Sequence, residues 1–127
     1  MNSQAIVKAF GGRLVGNAYM KAMVSKAVSK LPGDISNHLI HSTWFLSSDE
    51  DSWGYAFNGN DLKGKHLIFL SDVLFDQGET QIIFTILHEI GHIILGHKNS
   101  IGYIQTKEEI KLQESEADQF AKKYLLA

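Results

Sequence analysis

The chain has no cysteine, which removes disulfide frameworks and thiolate metal ligands together, so any metal site must be built from His, Asp or Glu. It also lacks an excess of one charge. Its 12 basic and 14 acidic residues are dispersed, giving a formal net charge of -2 and no electrostatic footprint for nucleic acid. Direct DNA binding is therefore disfavoured. Long apolar runs are missing too: the longest largely apolar stretch, Ile82 to Leu87, falls far short of the roughly 20 residues that cross a bilayer. Met1-Asn2-Ser3-Gln4-Ala5 lacks the basic start and apolar core of a secretory signal. The expectation is a soluble, cytoplasmic protein with no membrane partner. Internal repeats and low-complexity segments are absent. What remains, 127 residues of which 44% are hydrophobic, suits a single domain spanning residues 1–127 around one core.

Within that chain one stretch carries chemistry: His88-Glu89-Ile90-Gly91-His92, set inside an apolar segment of helical length. A helical turn is about 3.6 residues, so His88 and His92 project from one face and their imidazoles can converge on one ion. Glu89 lies about 100° round the axis, beside the metal rather than on it. A carboxylate so placed can hydrogen-bond a water held there, the reason H-E-x-x-H on a helix reads as two zinc ligands plus a general base. The alternative, two solvated histidines on a helix surface, fits poorly with flanking Ile82, Ile83, Phe84, Ile86, Leu87, Ile90, Ile93, Ile94 and Leu95. Polar side chains on a buried helix are costly unless partnered. Asp76 reads as the N-cap of this helix, Gly96 as its stop, and Gly91 as a position kept small for a strand or ligand packed against the site.

Upstream, Met20, Val24, Ala27, Val28 and Leu31 trace one face of an amphipathic helix over 17–31, ended by Pro32-Gly33-Asp34. Asp34 is expected to cap a short turn running toward His41, with His38 and His41 as surface or hydrogen-bonded histidines rather than extra ligands. Three β-like segments follow, His41 to Ser47, Trp53 to Phe57 and His66 to Ser71, separated by turn-forming clusters that predict a mainly antiparallel meander. In the second, Trp53, Tyr55 and Phe57 share one face. Gly54 and Ala56 share the other and leave room for another element to approach. Asp49, Glu50 and Asp51 read as a solvated turn.

Thr106-Lys107-Glu108-Glu109 opens the last helix as a capping box. Ile110, Gln113, Glu114, Ala117, Phe120, Ala121 and Tyr124 follow on one face, which carries Glu114 and Asp118 one turn apart. Glu114 is the best third ligand for a site that lacks one. Asp118 is placed to accept the free ring N–H of a ligating histidine. Glu116, about 200° round from Glu114, is expected to point to solvent.

His88-Glu89-Ile90-Gly91-His92-Ile93-Ile94-Leu95-Gly96-His97, followed by Glu114-Ser115-Glu116-Ala117-Asp118-Gln119-Phe120-Ala121, resembles the ImmA/IrrE metallopeptidases. There a helical H-E-x-G-H precedes a helix bearing E-x-x-A-[ND]-x-F-A. The resemblance follows the order of elements from about Val7 to Leu126 and is specific from Ile68 onward. It implies a zincin-like α+β fold: an N-terminal helix, a small three-stranded sheet, the metal helix and a C-terminal helix supplying the third ligand. It also implies Zn2+ held by His88, His92 and Glu114, Glu89 as the base, Asp118 behind a ligand, and peptide-bond cleavage in the cytoplasm. The partner it implies is a protein substrate, in particular a helix-turn-helix transcriptional repressor. His97, Tyr103 and His66 are the candidate oxyanion donors, and the edge of the His66 to Ser71 strand could hold an extended substrate. A module that keeps the metal but only sequesters a repressor is the alternative; Glu89 argues against it, because a structural site needs no base. A deformylase also uses H-E-x-x-H, but its third ligand is a cysteine.

Overall fold

The computed structural model describes residues 2–48, 54–57, 64–97 and 105–126, with Tyr55 and Phe57 described by backbone alone. The chain opens with helix α1 (Ser3–Phe10), which composition gave no hint of; Asn2 caps it by accepting from the Ala5 amide at 2.8 Å. A 3-10 turn over Gly11–Arg13 leads into a two-residue strand, β1 (Leu14–Val15). Helix α2 (Ala18–Ser29) starts at Asn17, whose side chain accepts from the Met20 amide. Its predicted face is buried, from Met20 through Val24, Ala27 and Val28. Pro32 does end this helix, but the segment after it is a full helix, α3 (Gly33–Ser42), rather than a short turn. A proline at the entry of a helix sacrifices no intrahelical donor, so the break and the restart share one residue.

Three further strands follow: β2 (Thr43–Ser48), β3 (Gly54–Phe57) and β4 (His66–Ser71). They do not form the expected antiparallel meander. The sheet has four strands in the order β1-β2-β4-β3, with β1–β2 and β2–β4 parallel and only β3–β4 antiparallel. Strand β4 runs between β2 and β3, pairing Thr43 with His66 on one side and Gly54 with Leu70 on the other. A strand flanked on both sides and packed on its face reads as an unbroken apolar run, and Leu67-Ile68-Phe69-Leu70 is one. Trp53, the acidic cluster Asp49-Glu50-Asp51 and the Asn58 to Asp61 turn lie outside the described residues.

A second 3-10 turn (Asp72–Asp76) precedes helix α4 (Glu79–Ile94). Asp76 therefore closes that turn instead of capping the helix, and Gly78 holds the cap position. Helix α5 (Lys107–Leu125) begins with the predicted capping box: Thr106 accepts from the Glu109 amide, and the Glu109 carboxylate from the Thr106 amide. One face of the sheet, bearing Phe45, Ala56, Ile68 and Leu70, is buried together with the inner faces of the helices in a single apolar core. Phe10 of α1 meets Phe45 edge-on there, with ring centroids 5.5 Å apart. Helix α4 threads this core through Ile82, Ile86, Leu87 and Ile90, all with no exposed surface. Among the described residues, no helix is long and apolar enough to cross a membrane.

Candidate metal centre

Helix α4 is buried on most of its circumference, and α5 lies along the side that carries His88 and His92. Close approach there depends on Gly91. A Cβ at that position would sit 3.1 to 3.2 Å from Phe120 of α5, tighter than ordinary contact, so the glycine makes room for a helix rather than for the strand or ligand expected. The approach brings Glu114 to both histidines. Its Oε2 lies 2.9 Å from His88 Nε2, its Oε1 lies 3.1 Å from His92 Nε2, and the two Nε2 atoms are 3.2 Å apart.

The far sides of the two imidazoles are engaged as well. His88 Nδ1–H donates to Asp118 Oδ1 at 2.8 Å, the partner expected one turn beyond Glu114. His92 Nδ1 lies 2.8 Å from Nδ1 of His97, and His97 Nε2–H donates to Glu116 Oε1 at 3.1 Å. Where each Nδ1 carries the ring proton, each Nε2 presents its lone pair on the side of the Glu114 carboxylate. Metal–donor bonds of about 2.0 to 2.1 Å in a tetrahedron set neighbouring donors about 3.3 Å apart. The separations here, 2.9 to 3.2 Å with a different Glu114 oxygen facing each histidine, are somewhat shorter, and His88, His92 and Glu114 form a group able to hold a metal ion.

Glu89 is only 8% exposed. It stands against Gly54 of β3, where a Cβ would come within 2.8 Å of Glu89 Cγ and 3.0 Å of its Oε2. The room foreseen on the Gly54 and Ala56 face is thus taken by this carboxylate. Burial pushes the Glu89 carboxyl up to about 7; the nearby His88 opposes the rise and Glu114 adds to it. A carboxyl poised near neutrality is matched to moving a proton in either direction. His92 is driven the other way, to about 4, first by burial and against the pull of Glu114. It therefore stays neutral at physiological pH, the state in which imidazole can ligate.

A cleft of about 260 Å³ opens beside these groups, lined by Gly54, Ala56, Glu89 and His92 and rimmed by Ile110, Gln113 and Glu114. Ile110 keeps 46% of its surface exposed at this rim, an apolar lip one turn before Glu114. Strand β3 is the wall of the cleft. Strand β4, the edge expected to receive a substrate, is internal to the sheet.

The other sequence candidates separate. His66 is buried at the start of β4 facing His38 of α3, with ring centroids 5.7 Å apart, and does not line the cleft. His41 is exposed, its Nδ1–H donating to the Asn37 carbonyl at 2.8 Å. Tyr103 lies outside the described residues. Glu116 is not simply directed to solvent: its side chain is 47% exposed but bonds His97, which is itself 6% exposed. His97, one of three candidate oxyanion donors in the sequence, stands behind His92 in the structure. The missed signal was Gly96, whose φ of 68° turns the chain back over the helix.

The family model described as Peptidase U49 matches residues 80–127, the part of the chain comprising most of α4 and all of α5. No curated protein and no solved structure matches the chain. The match covers less than half of the chain and points to a peptidase.

Proposed function

We propose that residues 1–127 form a single zincin-like domain acting as a zinc metallopeptidase, hydrolysing peptide bonds of an intracellular protein in the cytoplasm. One observation carries the reading: two imidazoles and a carboxylate come together within reach of one ion, with a buried, near-neutral carboxyl beside them on an open cleft. A donor set of two histidines and one glutamate, with a position left open, is that of a catalytic rather than a structural zinc. The similarity of 80–127 to a peptidase family adds the reaction type. The motif resemblance to ImmA/IrrE enzymes adds a substrate class, a helix-turn-helix repressor.

His88, His92 and Glu114 would hold the ion, with Asp118 fixing the His88 ring. Zinc held there would supply Lewis acidity to a scissile carbonyl and to a water in the cleft. Glu89 takes the proton from that water as its oxygen attacks the carbonyl carbon. A carboxyl near neutrality can then return the proton to the leaving nitrogen when the C–N bond breaks. The cleft wall at β3 and the lip at Ile110 set which peptide segment can approach.

The test is elemental analysis of purified protein together with incubation against a repressor encoded beside the gene. About one zinc per chain is expected. His88→Ala should lose it, and Glu89→Gln should keep it while cleavage falls by about two orders of magnitude or more. Stoichiometric zinc in His88→Ala would remove the metal assignment. If parent and Glu89→Gln bind the repressor equally and neither cuts it, the sequestering module is the correct reading.

A further inference from the structure

Beyond the three ligands and Asp118, the structure contains a second chain of hydrogen bonds that the peptidase reading does not need in order to hold an ion. It begins where α4 ends. Leu95 closes the helix, Gly96 adopts a φ of 68°, the Gly96 amide donates to the Ile93 carbonyl at 3.1 Å and the His97 amide to the His92 carbonyl at 3.0 Å. This pair of bonds is the Schellman motif, in which the second residue after the cap folds back onto the residue four positions before the glycine. Usually the two side chains that meet there are apolar. Here they are His97 and His92, and they meet through their Nδ1 atoms at 2.8 Å.

Their donor and acceptor roles follow from what stands at the far end. Glu116 Oε1 is 3.1 Å from His97 Nε2, and a carboxylate there accepts, so a neutral His97 carries its proton on Nε2. His97 Nδ1 is then a lone pair, and the proton between the two rings belongs to His92 Nδ1. In that tautomer His92 Nε2 is bare for an ion; without an ion, Glu114 Oε1 at 3.1 Å draws a proton toward the same nitrogen, so His97 and Glu114 pull the tautomer in opposite directions. In water a neutral histidine favours the opposite tautomer, with Nε2 protonated, which would turn an N–H toward the ion.

We propose that His97 and Glu116 are positioning residues that hold His92 in its Nδ1–H tautomer and fix its ring orientation, so that Nε2 is presented to the metal. This rests on the peptidase reading for its purpose but not for its geometry. Asp118 does the same for His88 directly. His92 receives the equivalent support through an intervening imidazole because the helix turn places His97, not a residue of α5, beside its outer edge. Each ligating histidine thus answers to a separate carboxylate of α5, Asp118 for one and Glu116 for the other.

The experiment combines nitrogen-15 NMR of the histidine rings, in the full chain at a pH where they are neutral, with zinc affinity by chelator competition. In the parent, His92 should show a protonated Nδ1 and an unprotonated Nε2. His97→Phe retains the ring volume and removes the acceptor; His92 should revert to Nε2–H, and zinc affinity should fall about 10- to 100-fold. His97→Asn places an oxygen where Nδ1 was and should restore the tautomer and most of the affinity, a rescue that lost packing could not produce. Glu116→Gln alters a half-exposed position without endangering the fold and should lose affinity by a smaller factor, roughly ten-fold or less. Should His97→Phe leave the His92 tautomer and the zinc affinity unchanged, the proposal is wrong. If the parent holds no zinc, yet the His92 tautomer still depends on His97, the peptidase reading falls and the relay stands.

Discussion

Glu89 offers a test of the site that needs no substrate. Burial holds its carboxyl at about 7 in the folded protein, against an ordinary 4.5. Between those values the folded state binds more protons than the unfolded one, so this group lowers stability as pH rises. At about 1.4 kcal/mol per pH unit the loss amounts to about 3 kcal/mol once pH exceeds 7. His92 acts in the opposite sense. Its value falls from 6.5 to about 4, so the folded state binds fewer protons there and stability rises with pH through that window. In the parent the two slopes oppose each other between pH 4.5 and 6.5, and a simple pH–stability curve would conceal both. Glu89→Gln removes one of them while leaving His92 in place.

The quantity to measure is therefore a difference of differences: urea unfolding of parent and Glu89→Gln, each stripped of metal, at pH 4 and at pH 8. Metal must be absent, because a bound cation beside the carboxylate would draw its pKa down. Relative to the parent, the variant should gain about 3 kcal/mol between the acidic and the alkaline measurement, equivalent to a melting shift of about 10 °C for a chain of this length. An advantage that is the same at both pH values would show that Glu89 ionises as an ordinary carboxylate in the fold. The argument for a buried base would then fail, whatever the metal does.

Four other outcomes are expected. Gly54→Ala drives a methyl to within 2.8 Å of Glu89 Cγ; it should retain zinc but lose cleavage by about ten-fold or more, and unchanged cleavage would mean that Glu89 has freedom the structure denies it. Gly91→Ala meets Phe120 at its Cβ, which cannot swing aside; overpacking of about 1 to 3 kcal/mol should outweigh the gain of about 1 kcal/mol in helix propensity, and a more stable variant in urea would refute the close packing of α4 on α5. In chelator competition at one pH, Glu114→Ala should weaken zinc most and Asp118→Ala by about 10- to 100-fold; the reverse order would move the third ligand. Stripping zinc should lower the melting temperature, since an ion in excess at about 1,000 times its dissociation constant adds about 4 kcal/mol to the folded state; an unchanged melting curve would remove the ion from the fold.

How much of this was legible beforehand follows the range over which each contact acts. His88, His92, Glu114 and Asp118 could be placed together because helical periodicity fixes which side chains share a face, and both helices are long and regular. The sheet could not be ordered the same way. Turn-forming clusters around 48–52 and 58–61 mark where strands stop, but they do not say which strand becomes a neighbour, and β4 settled between β2 and β3. Helix α1 hides a two-residue inner face, Ile6 and Phe10, and β1 is too short to show any period.

The site itself divides along the same line. His97 was visible as a histidine after a glycine, yet assigning it to His92 required reading Gly96 as the pivot of a Schellman turn rather than as a mere helix stop. Glu116 was misdirected for the same reason: its partner is not on α4's helical lattice, so an angular argument confined to α5 could not find it. Glu89 is the sharper case. Helical geometry alone put this carboxylate beside the ligands, but its acidity is set first by burial, to which a strand distant in sequence contributes by closing on it at Gly54. Local spacing can nominate a base. Only the packing of the sheet against the helix makes it a buried carboxyl titrating near neutrality, and a glycine in β3 is the residue that permits that packing.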